Sequence, residues 1–261
     1  MNAGWLELSL KVKSVQRSRA FYEAFDFKLV ETHDKGMSAT LQAENCRLAL
    51  YQGVLDPAEN QLIFWQGDVE EIAAGLEREA VEFVQPLKTN DRGEASFMLR
   101  DPDGQLIYVI RENGVVRHKP APATPDLDRG YFQIGLPVKN IDISAAYYAR
   151  LGFAFAQRNG DTNGTITDGH CRIGLYGFPL APNQLQLMFW QGDIDAVIDV
   201  VRRNGFEFYG EPRGDDEGRS VTIRDPDDNP LFFINMEKYK DTGLSRAYRQ
   251  ANAAAGQAGR A

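Results

Sequence analysis

Val12-Lys13-Ser14-Val15-Gln16-Arg17-Ser18-Arg19-Ala20-Phe21-Tyr22 returns later in the chain as Val138-Lys139-Asn140-Ile141-Asp142-Ile143-Ser144-Ala145-Ala146-Tyr147-Tyr148. Two more blocks return in the same order. Phe64-Trp65-Gln66-Gly67-Asp68 comes back as Phe189-Trp190-Gln191-Gly192-Asp193, and Arg100-Asp101-Pro102-Asp103 as Arg224-Asp225-Pro226-Asp227. Three blocks in one order make the second half a copy of the first. The repeat is much longer than the roughly 20 to 50 residues of a solenoid unit, so each copy is a whole domain. A chain of 261 residues accommodates two such domains, each large enough for a core.

Just before the quoted stretch, Leu6-Glu7-Leu8-Ser9-Leu10-Lys11-Val12-Lys13 alternates apolar and polar residues, as a half-buried strand does. Leu6, Leu8, Leu10 and Val12 face a core, and Glu7, Ser9, Lys11 and Lys13 face the other way. Ser14 reads as the N-cap of a helix carrying Phe21, Tyr22 and Phe25. Strands near 28–33, 37–42 and 47–51 follow. The order then repeats within the copy: a strand at 61–66, Asp68 as N-cap, a helix at 69–80, and strands near 83–84, 95–100 and 105–110. Asp101-Pro102-Asp103-Gly104 has the composition of a turn, with Arg100 and Arg224 expected to brace the two copies of it. Each copy is therefore two βαβββ modules, and the chain holds four. This is an α+β fold of two tandem domains, whose mixed sheets curl into cups with the helices outside.

The domains are expected at 1–112 and 130–238. A linker at 113–129, containing Lys119-Pro120-Ala121-Pro122-Ala123-Thr124-Pro125, separates them and reads as stiff and extended. Residues 239–261 are expected to form a short C-terminal helix and a disordered, Ala- and Gly-rich tail. The hydrophobic fraction of 43% and charged fraction of 25% are those of a globular protein. A net charge of −8 argues against a nucleic-acid partner, which needs clustered Lys and Arg. No apolar run approaches a membrane span, and Met1-Asn2-Ala3-Gly4-Trp5 lacks the features of a signal peptide. The expectation is a cytoplasmic protein with no membrane partner. Cys46 and Cys171 occupy equivalent places and are expected to be buried free thiols.

The signatures ending Ser18-Arg19-Ala20-Phe21-Tyr22 and Ser144-Ala145-Ala146-Tyr147-Tyr148, the Gly152-Phe153 that follows, and the Asp-Pro-Asp turns resemble the vicinal oxygen chelate superfamily. That superfamily includes glyoxalase I, bleomycin and fosfomycin resistance proteins, and extradiol dioxygenases. The resemblance implies that two modules pair their sheets into a ligand-binding cup. It also implies that enzyme members hold a metal on cup-facing positions of the first, fourth, fifth and eighth strands. By register these positions fall on Glu7, Ala49, Gln61 and Tyr108 in the first copy. In the second they fall on Gln133, Gly174, Gln186 and Phe232. Pairing the modules across domains would instead group Glu7 and Ala49 with Gln186 and Phe232, and Gln133 and Gly174 with Gln61 and Tyr108. Either way, Ala, Gly and Phe offer no donor. A Tyr phenol is neutral near pH 7, with a pKa of about 10, and an amide is a weak ligand. Catalytic sites need several His or carboxylate donors, yet His33, His118 and His170 fall on none of these positions. No metal and no cofactor are expected.

Residues two apart on a strand share a face. Trp5 therefore accompanies Glu7, Trp65 accompanies Gln61, and Arg47 and Tyr51 flank Ala49. In the second copy Arg172 and Tyr176 flank Gly174, and Met188 and Trp190 accompany Gln186. The expected ligand-binding set is Trp5, Glu7, Arg47, Tyr51, Gln61, Trp65 and Tyr108 in one cup. In the other it is Gln133, Arg172, Tyr176, Gln186, Trp190 and Phe232. A mostly aromatic wall with a few oriented polar groups suits a small, planar molecule, although a cup filled by its own side chains is ordinary core packing. The leading expectation is a metal-independent binder of a small, aromatic molecule, as a monomer or homodimer. The alternative is a glyoxalase- or dioxygenase-like enzyme. It would be metal-dependent with an atypical site, or metal-free with Glu7 as general base and Arg47 or Tyr108 stabilising negative charge. A third reading is a structural or regulatory module in which one cup is inactive and the Glu7 cup is the functional one.

Overall fold

A computed structural model describes residues 3–43, 46–113, 127–180, 183–247 and 249–250, without the side chains of Ala43 and Cys46. The first domain runs β1 (Gly4–Lys11), α1 (Val15–Ala24), β2 (Lys28–His33), β3 (Ser38–Ala43), β4 (Cys46–Tyr51), β5 (Gln61–Gln66), α2 (Val69–Arg78), β6 (Phe83–Thr89), β7 (Ala95–Arg100) and β8 (Leu106–Arg111). The second repeats it as β9 (Tyr131–Pro137), α3 (Ile141–Ala149), β10 (Ala154–Asn159), β11 (Asn163–Thr167), β12 (Arg172–Tyr176), β13 (Gln186–Trp190), α4 (Ile194–Arg203), β14 (Arg213–Asp215), β15 (Gly218–Arg224) and β16 (Pro230–Met236).

Each domain is one eight-stranded mixed sheet, ordered β2-β3-β4-β1-β5-β8-β7-β6 and β10-β11-β12-β9-β13-β16-β15-β14. β1 pairs in parallel with β4 and antiparallel with β5, and β9 does the same with β12 and β13. Consecutive modules thus share a sheet within their own domain, which excludes pairing across domains. Ser14 caps α1 by accepting the Arg17 N–H at 3.3 Å. Asp68 stands at the N-cap of α2 but makes no side-chain cap bond, whereas its counterpart Asp193 accepts the Ala196 N–H at 3.1 Å. β6 is longer than the expected 83–84. It is an edge strand with Pro86 inside it and two register shifts, so no apolar run marks it.

The alternation in β1 sorts side chains as expected. Leu6, Leu8 and Leu10 join the main core. Trp5, Ile63, Trp65 and Ile110 form a separate cluster on the opposite, cup face, and Tyr176, Leu180 and Met188 do so in the second domain. The main core runs through both domains. Phe64 meets Phe153 edge-on at 6.0 Å, Phe27 meets Phe189 at 5.9 Å, and Phe25 stacks on Phe233 at 5.5 Å. Arg129 is buried at this seam, 4.7 Å from the Phe27 ring centre, and donates to the Phe25 carbonyl at 2.5 Å.

The Asp-Pro-Asp turns fasten each domain to the other. The Tyr22 hydroxyl donates to Asp225 at 2.7 Å and Ser18 to Asp227 at 2.5 Å. Reciprocally, Tyr148 donates to Asp101 at 2.8 Å and Ser144 to Asp103 at 2.7 Å. Burial pushes the Asp101 and Asp225 carboxyls above the usual aspartate range. Arg100 and Arg224 brace the turns as expected, donating to the carbonyls of Gly104 and Asp228 at 2.8 and 2.9 Å.

Cys171 is disulfide-bonded, which corrects the expectation of free thiols; the Cys46 side chain lies outside the described residues. Residues 243–247 and 249–250 are helical, within the expected C-terminal helix. The Pro-rich stretch, His118 and the tail from 251 fall outside the described residues. Among the described residues no helix is long and apolar enough to cross a membrane.

Candidate functional site

In the first cup, Glu7 is fully buried on β1. Its Oε1 accepts hydrogen bonds from the Tyr51 hydroxyl at 3.2 Å, the Trp65 indole N–H at 3.3 Å and the Ser9 hydroxyl at 3.3 Å. Three converging donors are how an interior tolerates a carboxylate. Trp5 stacks on Trp65 at 6.0 Å, and the Arg47 guanidinium lies 4.9 Å from the Trp5 ring centre. Arg47 pairs with Glu31 at 3.1 Å, and Glu31 also pairs with the half-exposed His33 at 3.2 Å. The Gln61 amide N–H donates to the Pro57 carbonyl at 2.9 Å. Tyr108 lines a cavity of about 210 Å³ at the rim beside Lys88 and Ser96. The centre of this cup is a closed polar core, so the burial of Glu7 runs against the reading that made it the functional cup.

The second cup substitutes neutral groups at the same places. Gln133 replaces Glu7; its amide donates to the Tyr176 hydroxyl at 2.6 Å and accepts from Thr165 at 3.1 Å. Burial, above all, pushes the Tyr176 phenol well above its ordinary value, so it stays a neutral hydroxyl. Arg172 donates to the Phe132 carbonyl at 3.3 Å and lies 5.2 Å from the Tyr131 ring centre. Two cavities open on this cup. Gln133, Tyr176 and Trp190 line a small one of about 20 Å³. Gln186 and Phe232 line a cleft of about 280 Å³, with Met188 beside them and Phe178 and Tyr209 on its walls. Phe178 and Tyr209 are 43% and 46% exposed, aromatic rings presented to solvent at a cleft.

The expected set is thus divided among a closed cluster, a rim cavity and two separate cavities. Sequence reasoning missed Gln157, Asn163 and Tyr239 in the small cavity. Gln157 and Asn163 come from the outer strands β10 and β11, and Tyr239 from the 3₁₀ turn Glu237–Tyr239. The alternation along β10 and β11 would have placed the first two, had the register been carried outward from β9.

The metal implied by the resemblance does not fit these residues. The Gln133 amide is engaged at both ends. A Cβ on Gly174 would lie 1.9 Å from Gln133 Nε2, so that position carries no side chain in this packing. Phe232 and Ala49 offer no donor, and Glu7 Oε1 already receives three hydrogen bonds. Among the described residues, no group of three or more His, Cys, Asp or Glu could hold a metal ion.

Residues 5–109 match the model of the Glyoxalase/Bleomycin resistance protein/Dioxygenase superfamily. Among solved structures, the chain is similar to a catechol 2,3-dioxygenase, at 16% identity over 89% of this chain and 86% of that one, with a TM-score of 0.54. It is also similar to the Mn(II)-bound glyoxalase from Novosphingobium aromaticivorans, at 17% identity over 88% and 80% of the two chains, with a TM-score of 0.56. The 2,3-dioxygenase LapB from Pseudomonas sp. KL28 shares 15% identity over 89% and 91%, with a TM-score of 0.54. At these identities the likeness is one of fold. No curated protein sequence matches the chain.

Proposed function

We propose that this chain, whose residues 5–109 match the Glyoxalase/Bleomycin resistance protein/Dioxygenase superfamily and whose second domain repeats the same fold, binds a small aromatic molecule in its second cup without a metal. The observation that carries this reading is the state of the second cup. Its metal positions are spent on internal hydrogen bonds or lack donors, while a cleft with Phe178, Tyr209 and Phe232 in its lining stays open. Apolar and aromatic walls with a few polar groups are the ordinary make-up of a small-molecule pocket. A metal-free reaction with Glu7 as base has less support. Glu7 is fully buried, and a substrate would have to displace Tyr51 and Trp65 to reach Oε1.

The test has two arms. The protein is incubated with iron, nickel, zinc and manganese, desalted, and its metal content read by mass spectrometry. It is then titrated calorimetrically with a panel of bicyclic aromatic compounds, which are recovered and analysed. The expected result is sub-stoichiometric metal, saturable binding of at least one compound, and recovery of that compound unaltered. A stoichiometric, tightly held metal or consumption of the compound would overturn the proposal.

A further inference from the structure

The two cups are built on one plan, so the first serves as an internal control for the second. Glu31 pairs with β3 residue Thr40, as Gln157 pairs with Thr165. Ser38 sits opposite Tyr51, as Asn163 sits opposite Tyr176. Trp65 sits opposite Trp5, as Trp190 sits opposite Tyr131. In the first cup these polar groups are satisfied. Glu31 pairs with Arg47 at 3.1 Å, the Ser38 hydroxyl donates to Asp34 at 3.2 Å, and the Trp65 N–H donates to Glu7 at 3.3 Å.

In the second cup their counterparts are not. Gln157 Oε1, Asn163 Oδ1 and Trp190 Nε1 are buried without a hydrogen-bond partner. The Gln157 amide nitrogen is committed to Asn159 at 3.0 Å, which turns its oxygen inward. Gln133 gives its own amide to Tyr176 and Thr165, so no carboxylate remains for the Trp190 N–H. The indole lies near the Tyr176 hydroxyl without completing a bond to it. All three side chains line the cavity of about 20 Å³. Unsatisfied buried polar groups are rare and costly, and three in one cavity call for a common occupant. The cavity contains no charged side chain in its lining, and Tyr131, Tyr176 and Tyr239 supply aromatic walls. As it stands it has room for about one water. Tyr239, edge-on to Trp190 at 5.5 Å, belongs to a short turn after the last strand rather than to the sheet.

We infer that this cavity is the polar end of the binding site, and that it takes a neutral heteroaromatic ligand carrying both a hydrogen-bond donor and an acceptor. The inference rests on the proposed capture of an aromatic molecule and narrows it. The ligand's donor meets Gln157 Oε1 or Asn163 Oδ1, its acceptor meets the Trp190 N–H, and Tyr239 swings aside to admit the ring. An anion is disfavoured because it would face two amide oxygens in a site without a cation.

The test uses the full chain and two probes of matched size: 2-quinolinone, which is neutral with one N–H and one carbonyl, and the anion 2-naphthoate. Calorimetric titration should show 2-quinolinone binding at least tenfold more tightly. Whichever of Asn163→Leu and Gln157→Leu removes the acceptor of the ligand's N–H should weaken it about tenfold, the effect of losing one buried hydrogen bond. Tyr239→Ala should speed association in stopped-flow fluorescence. Ser96→Ala, at the rim cavity of the first cup, should leave 2-quinolinone affinity unchanged. Three results would overturn the inference: no heat from 2-quinolinone (a cavity holding only ordered water), equal or tighter binding of 2-naphthoate, or affinity insensitive to both leucine variants. If binding is lost in Phe232→Ala and kept in the leucine variants, the polar site fails while aromatic capture stands. Turnover of a probe, or a stoichiometric metal, would instead remove the broader reading.

Discussion

Glu7 shows what one residue's surroundings decide. Its orientation is legible in the alternation of β1, because a strand's period of two leaves no choice of face. Its depth is not legible. Burial depends on Tyr51, Trp65 and Ser9 converging on one oxygen, and two of these come from other strands. The same residue types therefore read equally as a catalytic cup or as a packed polar core. The difference has a measurable consequence. Glu7→Ala would leave three buried donors without an acceptor and should cost about 3 to 5 kcal/mol in urea unfolding. Glu7→Gln keeps one oxygen for those donors and should cost only about 1 to 2 kcal/mol. Neither substitution should change ligand affinity in the second cup. An Ala variant as stable as the parent, or one that loses ligand binding while staying folded, would contradict this account of Glu7.

The Asp-Pro-Asp turns and the first helix of each domain recur as separate signatures in the sequence, and the structure joins them. Ser18 and Tyr22 on α1 reach the turn of the second domain, and Ser144 and Tyr148 on α3 reach that of the first. The turn chemistry was legible, since Asp, Pro and Gly have local reasons to be there. The cross-domain bond was not, because nothing local ties a helix to a turn 41 to 209 residues away. Tyr22→Phe leaves the buried Asp225 carboxyl one donor short and should cost about 1 to 3 kcal/mol. Tyr148→Phe should cost a similar amount, and the two should add, because the sites share no partner. The turns also carry a pH signature. Burial raises the Asp101 and Asp225 carboxyls in the folded chain, so folding favours their protonated forms. That contribution is complete below the unfolded aspartate value of about 3.9 and is lost as pH rises through the folded values. From the ordinary aspartate range upward, wild-type stability should therefore fall relative to an Asp101→Asn, Asp225→Asn double variant. Thermal melts at stepped pH check this; a pH-independent difference between the two proteins would rule it out.

At the scale of the molecule, the sequence and the structure make opposite claims about independence. The repeat and the Pro-rich stretch between the copies describe two domains that fold apart and are held by a spacer. Yet one apolar core runs through both, and the aromatic contacts at its seam pair residues of one domain with those of the other. A repeat reports common descent of the copies and is silent on whether their faces meet. Separating the domains would expose Phe25, Phe27, Phe153 and Phe189, each almost fully buried in the intact chain. Burying an aromatic side chain is worth about 1.5 to 3 kcal/mol, so this surface is large against the 5 to 15 kcal/mol that typically separates folded from unfolded chains. The two domains should therefore unfold together. Scanning calorimetry should show one transition whose calorimetric and van't Hoff enthalpies agree. Arg129→Leu, which removes the guanidinium over Phe27 and the bond to the Phe25 carbonyl, should move that single transition down without splitting it. Two resolved transitions in the parent chain would mean that the seam is weaker than its packing implies and that the linker, not the core, governs how the domains associate.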